Sequence, residues 1–335
     1  MKIAHIIVLV ATAVSALLSC GNPAKPSATP LLPELQQAES TMYESPDSAL
    51  RLLQSMPVPQ PSDRLEYATW ALFITQARYK LYMQQSDSLI NIAYDFFMKQ
   101  GDAQRKALAL YYKGAICKEQ QQIEEAHEYF LQAAEEVEKT TDYQLGHLIY
   151  GGLADTYAYQ NLNKYALEAS QKEMMFAQKS QNPFYISSAF VSKARISSIS
   201  NKLKESVRYY KKALYLMEQH KENKSICGIS YELGATYNKL GIYDSALYFM
   251  QKAKIIDPTA QTASIFITIG ETYSNLNRPD SAIHYFNQAL CDSNISISQI
   301  ADVHQRLSFA YKQKKDYRSA AEHCFEMSWY LDSLH

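Results

Sequence analysis

The stretch YELGATYNKLGIYDSALYFMQKAKIIDP, residues 231–258, holds the phrase that decides the fold. From Ala246 the residues Phe249, Met250 and Ala253 follow at i+3, i+4 and i+7, which is one apolar stripe of a helix. The same phrase returns as PDSALRLLQSM (46–56), SDSLINIAYDFF (86–97) and PDSAIHYFNQAL (279–290), each opening on Asp or Ser residues suited to capping. Anchored on its small residue, it falls at Ala49, Ser88, Ala126, Ala166, Ser206, Ala246, Ala282 and Ala320. Successive subtraction gives intervals of 39, 38, 40, 40, 40, 36 and 38. Nine residues before the last seven anchors stand Tyr79, Cys117, Tyr157, Ser197, Tyr237, Tyr273 and Tyr311. Three residues further back, Gly114, Gly234 and Gly270 mark a place where a large side chain would hold two helices apart. Each unit therefore reads as helix A, a short turn and helix B.

With its Leu-Gly, Tyr, small, Ala and Pro positions, 231–258 resembles a tetratricopeptide repeat, and ITIGETYSNLNRPDSAIHYFNQAL (267–290) resembles one almost as closely. The copy at 107–140 follows with Cys117 in place of tyrosine, and the copies around 166 and 206 are degenerate. Residues 69–97 are similar to the early part of a group of exported bacterial tetratricopeptide proteins. The resemblance implies an all-α, right-handed superhelical solenoid of about eight helical hairpins over 34–335. It also implies a concave groove lined at one level by Phe73, Tyr111, Val191, Tyr231 and Ile267, and one turn on by Asp155, Arg195, Glu271 and Phe309. Asn238 and Asn275 offer amides along the same helices. Ala77, Ala115 and Ala235 stand where the carboxylate-clamp subclass would carry Asn, so that mode of peptide capture is not expected.

The N-terminus MKIAHIIVLVATAVSALLSCGN has the basic Lys2, an apolar run from Ile3 to Leu18, and Ser19 before Cys20. It resembles a lipoprotein signal peptide, 1–19, with Cys20 as the thiol that takes lipid and becomes the mature N-terminus. The run is too short for a comfortable span of a bilayer. Prolines 23, 26, 30 and 33 then keep 20–33 extended, as a tether. Anchored this way, the chain is expected in the envelope of a Gram-negative bacterium, at the outer membrane and facing the periplasm.

A formal charge of −1 with dispersed Lys and Arg argues against a nucleic-acid groove. Cys117, Cys227, Cys291 and Cys324 are expected as free, mostly buried thiols, because a solenoid repeat touches only its neighbours. No Gly-rich phosphate loop, CxxC, HExxH or GxSxG occurs, and His127 and His323 are expected as locally paired or solvated side chains. No catalytic residue, metal or cofactor is assigned. Ser48, Ser88, Ser245, Ser281 and Ser333 sit in Asp-Ser phrases that match the acceptor motif of a periplasmic O-glycosylation system, though helix capping explains the same phrase. In the last helix Phe325 and Trp329 lie off the stripe Ala320, Cys324, Met327, Leu331, where a terminal repeat normally turns a polar face outward. A continuation of the chain or a partner is expected to cover them. The function expected is a scaffold for envelope proteins or peptides; the competing expectation is the periplasmic sensor of a signalling protein whose membrane helix and output region lie beyond this sequence.

Overall fold

The computed structural model describes residues 31–258 and 262–333, so the leader, Cys20 and most of the tether lie outside the described residues. Among the described residues there are sixteen α-helices and no strand. They form two compact units that part between Gln85 and Ser86.

The first unit holds α1 (Pro33–Thr41), α2 (Pro46–Ser55) and α3 (Arg64–Lys80). Helix α1 thus begins on the last proline of the tether, whose fixed φ suits a first turn. Leu35, Ala49, Leu53 and Leu72 form its core, and the Trp70 indole donates to the Leu53 carbonyl at 3.1 Å.

The second unit opens on α4 (Asp87–Gln100) and continues as six hairpins. These are α5 (Ala103–Glu119) with α6 (Ile123–Val137), α7 (Tyr143–Tyr159) with α8 (Asn163–Lys179), and α9 (Pro183–Ile199) with α10 (Leu203–Gln219). Then come α11 (Asn223–Lys239) with α12 (Tyr243–Ile256), α13 (Thr262–Asn275) with α14 (Pro279–Leu290), and α15 (Ile297–Gln313) with α16 (Tyr317–Asp332). This is an all-α solenoid of tetratricopeptide type. Within it Ala126, Ala166, Ser206, Ala246, Ala282 and Ala320 are all buried, because at this position helix B comes too close to helix A for a larger side chain.

Three local devices set the repeat. Five residues before each of these six anchors the chain turns through a left-handed residue: Gln121, Asn161, Asn201, Gly241, Asn277 and Lys315. That conformation ends helix A and reverses the chain in three residues, and only Gly241 adopts it without steric cost. The glycines of helix A face helix B: a Cβ on Gly270 would stand 2.5 Å from the Phe286 ring, and one on Gly234 would stand 2.9 Å from Met250. Finally, the helix-A tyrosine stacks on a ring three residues after the anchor. Tyr237 pairs with Phe249 at 5.6 Å, Tyr273 with Tyr285 at 5.5 Å and Tyr311 with His323 at 5.3 Å.

Two expectations are corrected. Ser88 is exposed, and the buried series in α4 is Ile90, Ala93, Phe97, which matches Ile123, Ala126, Phe130 of α6. The anchor is Ala93. The connection from α3 to α4 runs over residues 81–86 instead of the three residues used in later hairpins, so the Asp-Ser phrase there slips out of phase. The Asp residues of the phrase also do not cap. Asp47, Asp87, Asp244 and Asp280 lie inside the first turn, and the N-caps Ser45, Ser86, Ile242 and Arg278 make no side-chain cap bond. Their carboxylates act on the positive end of the helix dipole instead. True caps mostly start A helices: Asp102, Asp142, Asn182 and Ser296, the last with a full capping box.

Candidate functional site

The polar residues expected to line a groove are tied to partners on neighbouring A helices of the second unit. Lys118 of α5 donates to Asp155 of α7 at 2.5 Å. Arg195 of α9 grips both oxygens of Glu232 on α11, with Nε to Oε2 at 2.8 Å, and the Tyr210 hydroxyl donates to the same carboxylate at 2.6 Å. The bond to Glu232 raises the Arg195 pKa still further, so this guanidinium is charged at any accessible pH. Glu271 of α13 meets Arg306 of α15, which also donates to Asp302 at 2.8 Å. Asn238 is buried; its Oδ1 accepts from the Thr272 hydroxyl at 3.1 Å and from Asn275 at 3.4 Å. Asp155, Arg195, Asn238, Glu271 and Asn275 thus form rungs between neighbouring helices. Each rung neutralises or satisfies groups that a ligand would otherwise have to meet.

The aromatic members are placed differently from expectation. Phe73 is fully buried in α3, within the first unit. Tyr111 is buried against Tyr112 and Phe130, with ring centroids 4.9 and 5.8 Å away. Neither can anchor a ligand without unpacking a core. Tyr231 is half-buried against the core that contains Met250 and Ile267.

One open space is a cleft of about 560 Å³ between α13, α15 and α16, with Phe286 of α14 at its base. Glu271, Asn275, Asp302, Arg306 and Lys312 give it charge and amide groups, while Phe309, Cys324 and Met327 give it apolar wall. Phe309 is 58% exposed, the uncovered aromatic of this cleft. A smaller cleft of about 210 Å³, lined by Phe184, Val191, Arg195, Gly228 and Glu232, lies between α9, α10 and α11. Both are mixed surfaces suited to a peptide-like ligand, with hydrogen-bonding groups beside short apolar patches.

Buried histidines make pairs that the sequence did not reveal. His147 of α7 and Glu173 of α8 are both inside, with Nδ1 3.6 Å from Oε1. Glu173 Oε2 and His147 Nδ1 have no hydrogen-bond partner. Burial pushes the Glu173 carboxyl up to about 8 and the His147 imidazole down to about 4, so at neutral pH both are mainly uncharged and the pair is not an ion pair. His127 is bonded through Nδ1 to the Thr156 hydroxyl at 2.9 Å, and His304 to His323 through their Nδ1 atoms at 3.0 Å. Among the described residues no three His, Cys, Asp or Glu side chains cluster as a metal site. No described helix is long and apolar enough to cross a membrane.

Of the expected thiols, Cys117 and Cys227 are buried, Cys324 is half-buried and Cys291 is exposed; all four are free. Of the Asp-Ser serines, Ser48, Ser88 and Ser333 are exposed, whereas Ser245 and Ser281 are half-buried in first turns.

The hairpin α13–α14 carries the decisive match: residues 263–290 fit the model of the tetratricopeptide repeat family. This segment is a tetratricopeptide repeat. Solved structures extend the likeness of fold beyond it. A signal transduction ATPase with a tetratricopeptide repeat sensor from Pyrococcus horikoshii aligns at a TM-score of 0.67 and 15% identity, over 90% of this chain and 47% of that one. Aspartyl phosphate phosphatase F from Bacillus subtilis aligns at 0.61 and 16%, over 98% and 89%. The Cut9–Hcn1 tetramer of the APC/C aligns at 0.60 and 17%, over 89% and 52%. At such identities the likeness is one of fold. No curated protein matches the chain in sequence.

Proposed function

We propose that this chain is a non-enzymatic interaction scaffold, held at a Gram-negative outer membrane by lipid on Cys20 and facing the periplasm, which takes a peptide or protein segment in the cleft of its last two hairpins. One observation carries the binding role: the cleft between α13, α15 and α16 combines an uncovered aromatic, Phe309, with charged and amide groups from α13 and α15. Four of these groups, Glu271, Asn275, Asp302 and Arg306, are themselves partners in rungs. Arg306 bridges Glu271 and Asp302 at the mouth of the cleft, so an acidic or amide group on the ligand can exchange with either carboxylate at small electrostatic cost. The Pro-rich sequence 20–33 is read as the tether between the anchor and the array.

Two variants test the two halves of this reading. Cys20→Ala should abolish incorporation of a fatty-acid analogue in growing cells; equal label on both chains would remove the anchor. Phe309→Ala should weaken capture of envelope proteins from solubilised membranes by about tenfold, equal to about 1.4 kcal/mol, with helicity unchanged. The matched control is the exposed Lys204→Ala on α10. Identical partner profiles for wild type, Phe309→Ala and Lys204→Ala would rule the cleft out as the binding site.

A further inference from the structure

Helix α16 differs from the four B helices before it. Five residues after the anchor, α8, α10, α12 and α14 carry the exposed polar residues Gln171, Lys211, Gln251 and Asn287, while α6 carries the half-buried Leu131. Here the residue is Phe325, 76% exposed, with Trp329 one turn on at 62%. Core packing does not ask for either ring, because the buried stripe of α16 runs through Ala320 and the cleft wall through Cys324 and Met327. At the place of Trp329, nine residues after the anchor, α10 and α12 also expose Tyr215 and Ile255, so it is the exposed Phe325 ring beside Trp329 that sets α16 apart.

We infer that this face is the two-fold interface of a homodimer, α16 packing antiparallel on α16 of a second copy with Phe325 at the axis. The argument is the self-complementarity of the residues around Phe325. An isologous contact places residue 325−n against 325+n of the other copy. At n = 7 this sets Arg318 against Asp332, opposite charges. At n = 4 it sets Ala321, the smallest side chain on the face, under Trp329, the largest. At n = 3 it sets Glu322 beside the Ser328 hydroxyl. All of these positions are exposed.

The pairings select both orientation and occupant. A parallel arrangement would place Asp332 on Asp332, Glu322 on Glu322 and Trp329 on Trp329, which repels and overfills; the antiparallel one also opposes the helix dipoles. Glu326 flanks the seam and comes level with Cys324 of the second copy rather than with an acid. Arg318 is already held toward the outer face by its bond to Glu322, with Nε to Oε1 at 3.1 Å, so little side-chain freedom is lost on pairing. An unrelated partner helix would need to reproduce this small–large and basic–acidic alternation; a second copy has it by symmetry. One helix face from each copy makes a small interface, so the dimer should form in the micromolar range.

The test is sedimentation equilibrium of the full chain in a density-matched non-ionic detergent. Wild type should populate a dimer at tens of micromolar, and Trp329→Asp should weaken it by more than about tenfold. Arg318→Asp alone and Asp332→Arg alone should each weaken it several-fold. The double variant Arg318→Asp/Asp332→Arg should return to within about threefold of wild type, because the swapped charges meet again across the axis. Phe309→Ala, on the cleft, should leave the dimer intact, which separates this interface from the binding site proposed above. A chain that stays monomeric at about 100 µM overturns the inference. So does a mass indifferent to Trp329→Asp, or a double variant no better than the worse single one. All substituted side chains here are exposed, and an unchanged thermal melt confirms that each variant folds.

Discussion

Replacing Glu173 with glutamine should raise stability at pH 8 by on the order of 2 to 4 kcal/mol, and should remove the alkaline slope of the wild-type stability curve. The carboxyl sits between α7, α8 and α9, where His147, Asp155 and Gly151 face it from α7, and Tyr185, Ser192, Lys193 and Arg195 belong to α9. Burial is the main cause of its shift; Asp155 adds to it, while a bond from Ser192 and the charges of Lys193 and Arg195 work the other way. Because the folded-state value is raised from 4.5 to about 8, the protonated acid is the stable form. Its contribution is complete below the unfolded-chain value and is lost as pH rises through about 8. His147 has the opposite sign. Its value is lowered from 6.5 to about 4, so its contribution is complete above 6.5 and is lost as pH falls through about 4.

Between 4.5 and 6.5 the two slopes oppose one another, and stability from this pair is nearly flat. Above that window only Glu173 titrates, and wild type should lose stability steadily to about pH 8. Glutamine has the same shape and no proton to lose, so Glu173→Gln should hold its urea midpoint across that range. His147→Gln should instead extend the falling limb down to about pH 4.5, because Glu173 is then unopposed between 4.5 and 6.5. Parallel curves for wild type and Glu173→Gln from pH 6 to 8.5 would show that the carboxyl does not carry the slope.

This pair also shows what can be read from a sequence of this kind and what cannot. Ala126, Ala246 and Ala282 were legible because helix contact at a fixed spacing admits only small residues, a constraint written once per repeat. Ser88 misled because the phrase around it is intact while the turn before it is longer, so identical letters fell on a different face of α4. The cleft-level residues were placed on the right helices, but spacing within one helix does not say what stands opposite. Asp155, Arg195 and Glu271 meet partners at sequence separations of 37, 37 and 35, nearly one repeat away. Opposite charges one repeat apart on A helices were therefore a usable signal for rungs. His147 and Glu173 gave no such signal, because their pairing depends on how deeply two adjacent helices bury them. Phe309 was assigned to the same level as Asp155, Arg195 and Glu271, yet it is exposed, since no further A helix among the described residues lies against it.

Truncating Phe286 to alanine should cost about 3 to 5 kcal/mol and should release the last two hairpins before the rest of the array. The ring is 1% exposed. It fills the space beside Gly270, where a methyl group would stand 2.5 Å from Cε1, and it forms the floor of the cleft. In a solenoid each repeat is held by its own packing and by its neighbours, so the loss stays local. Hydrogen exchange should therefore accelerate in α13–α16, with α5–α8 protected as in wild type; uniform acceleration across the array would show one cooperative core instead. The same ring explains why Gly270→Ala should cost about 1 to 3 kcal/mol by overpacking. The two changes should not add. With the ring gone, the methyl of Gly270→Ala enters the cavity that Phe286→Ala leaves and restores part of the lost contact, so the double variant should be more stable than the sum of the single losses by at least about 0.5 kcal/mol. Strict additivity would mean that Gly270 and Phe286 do not share a contact, and the register that places helix A on helix B throughout the six hairpins would be wrong.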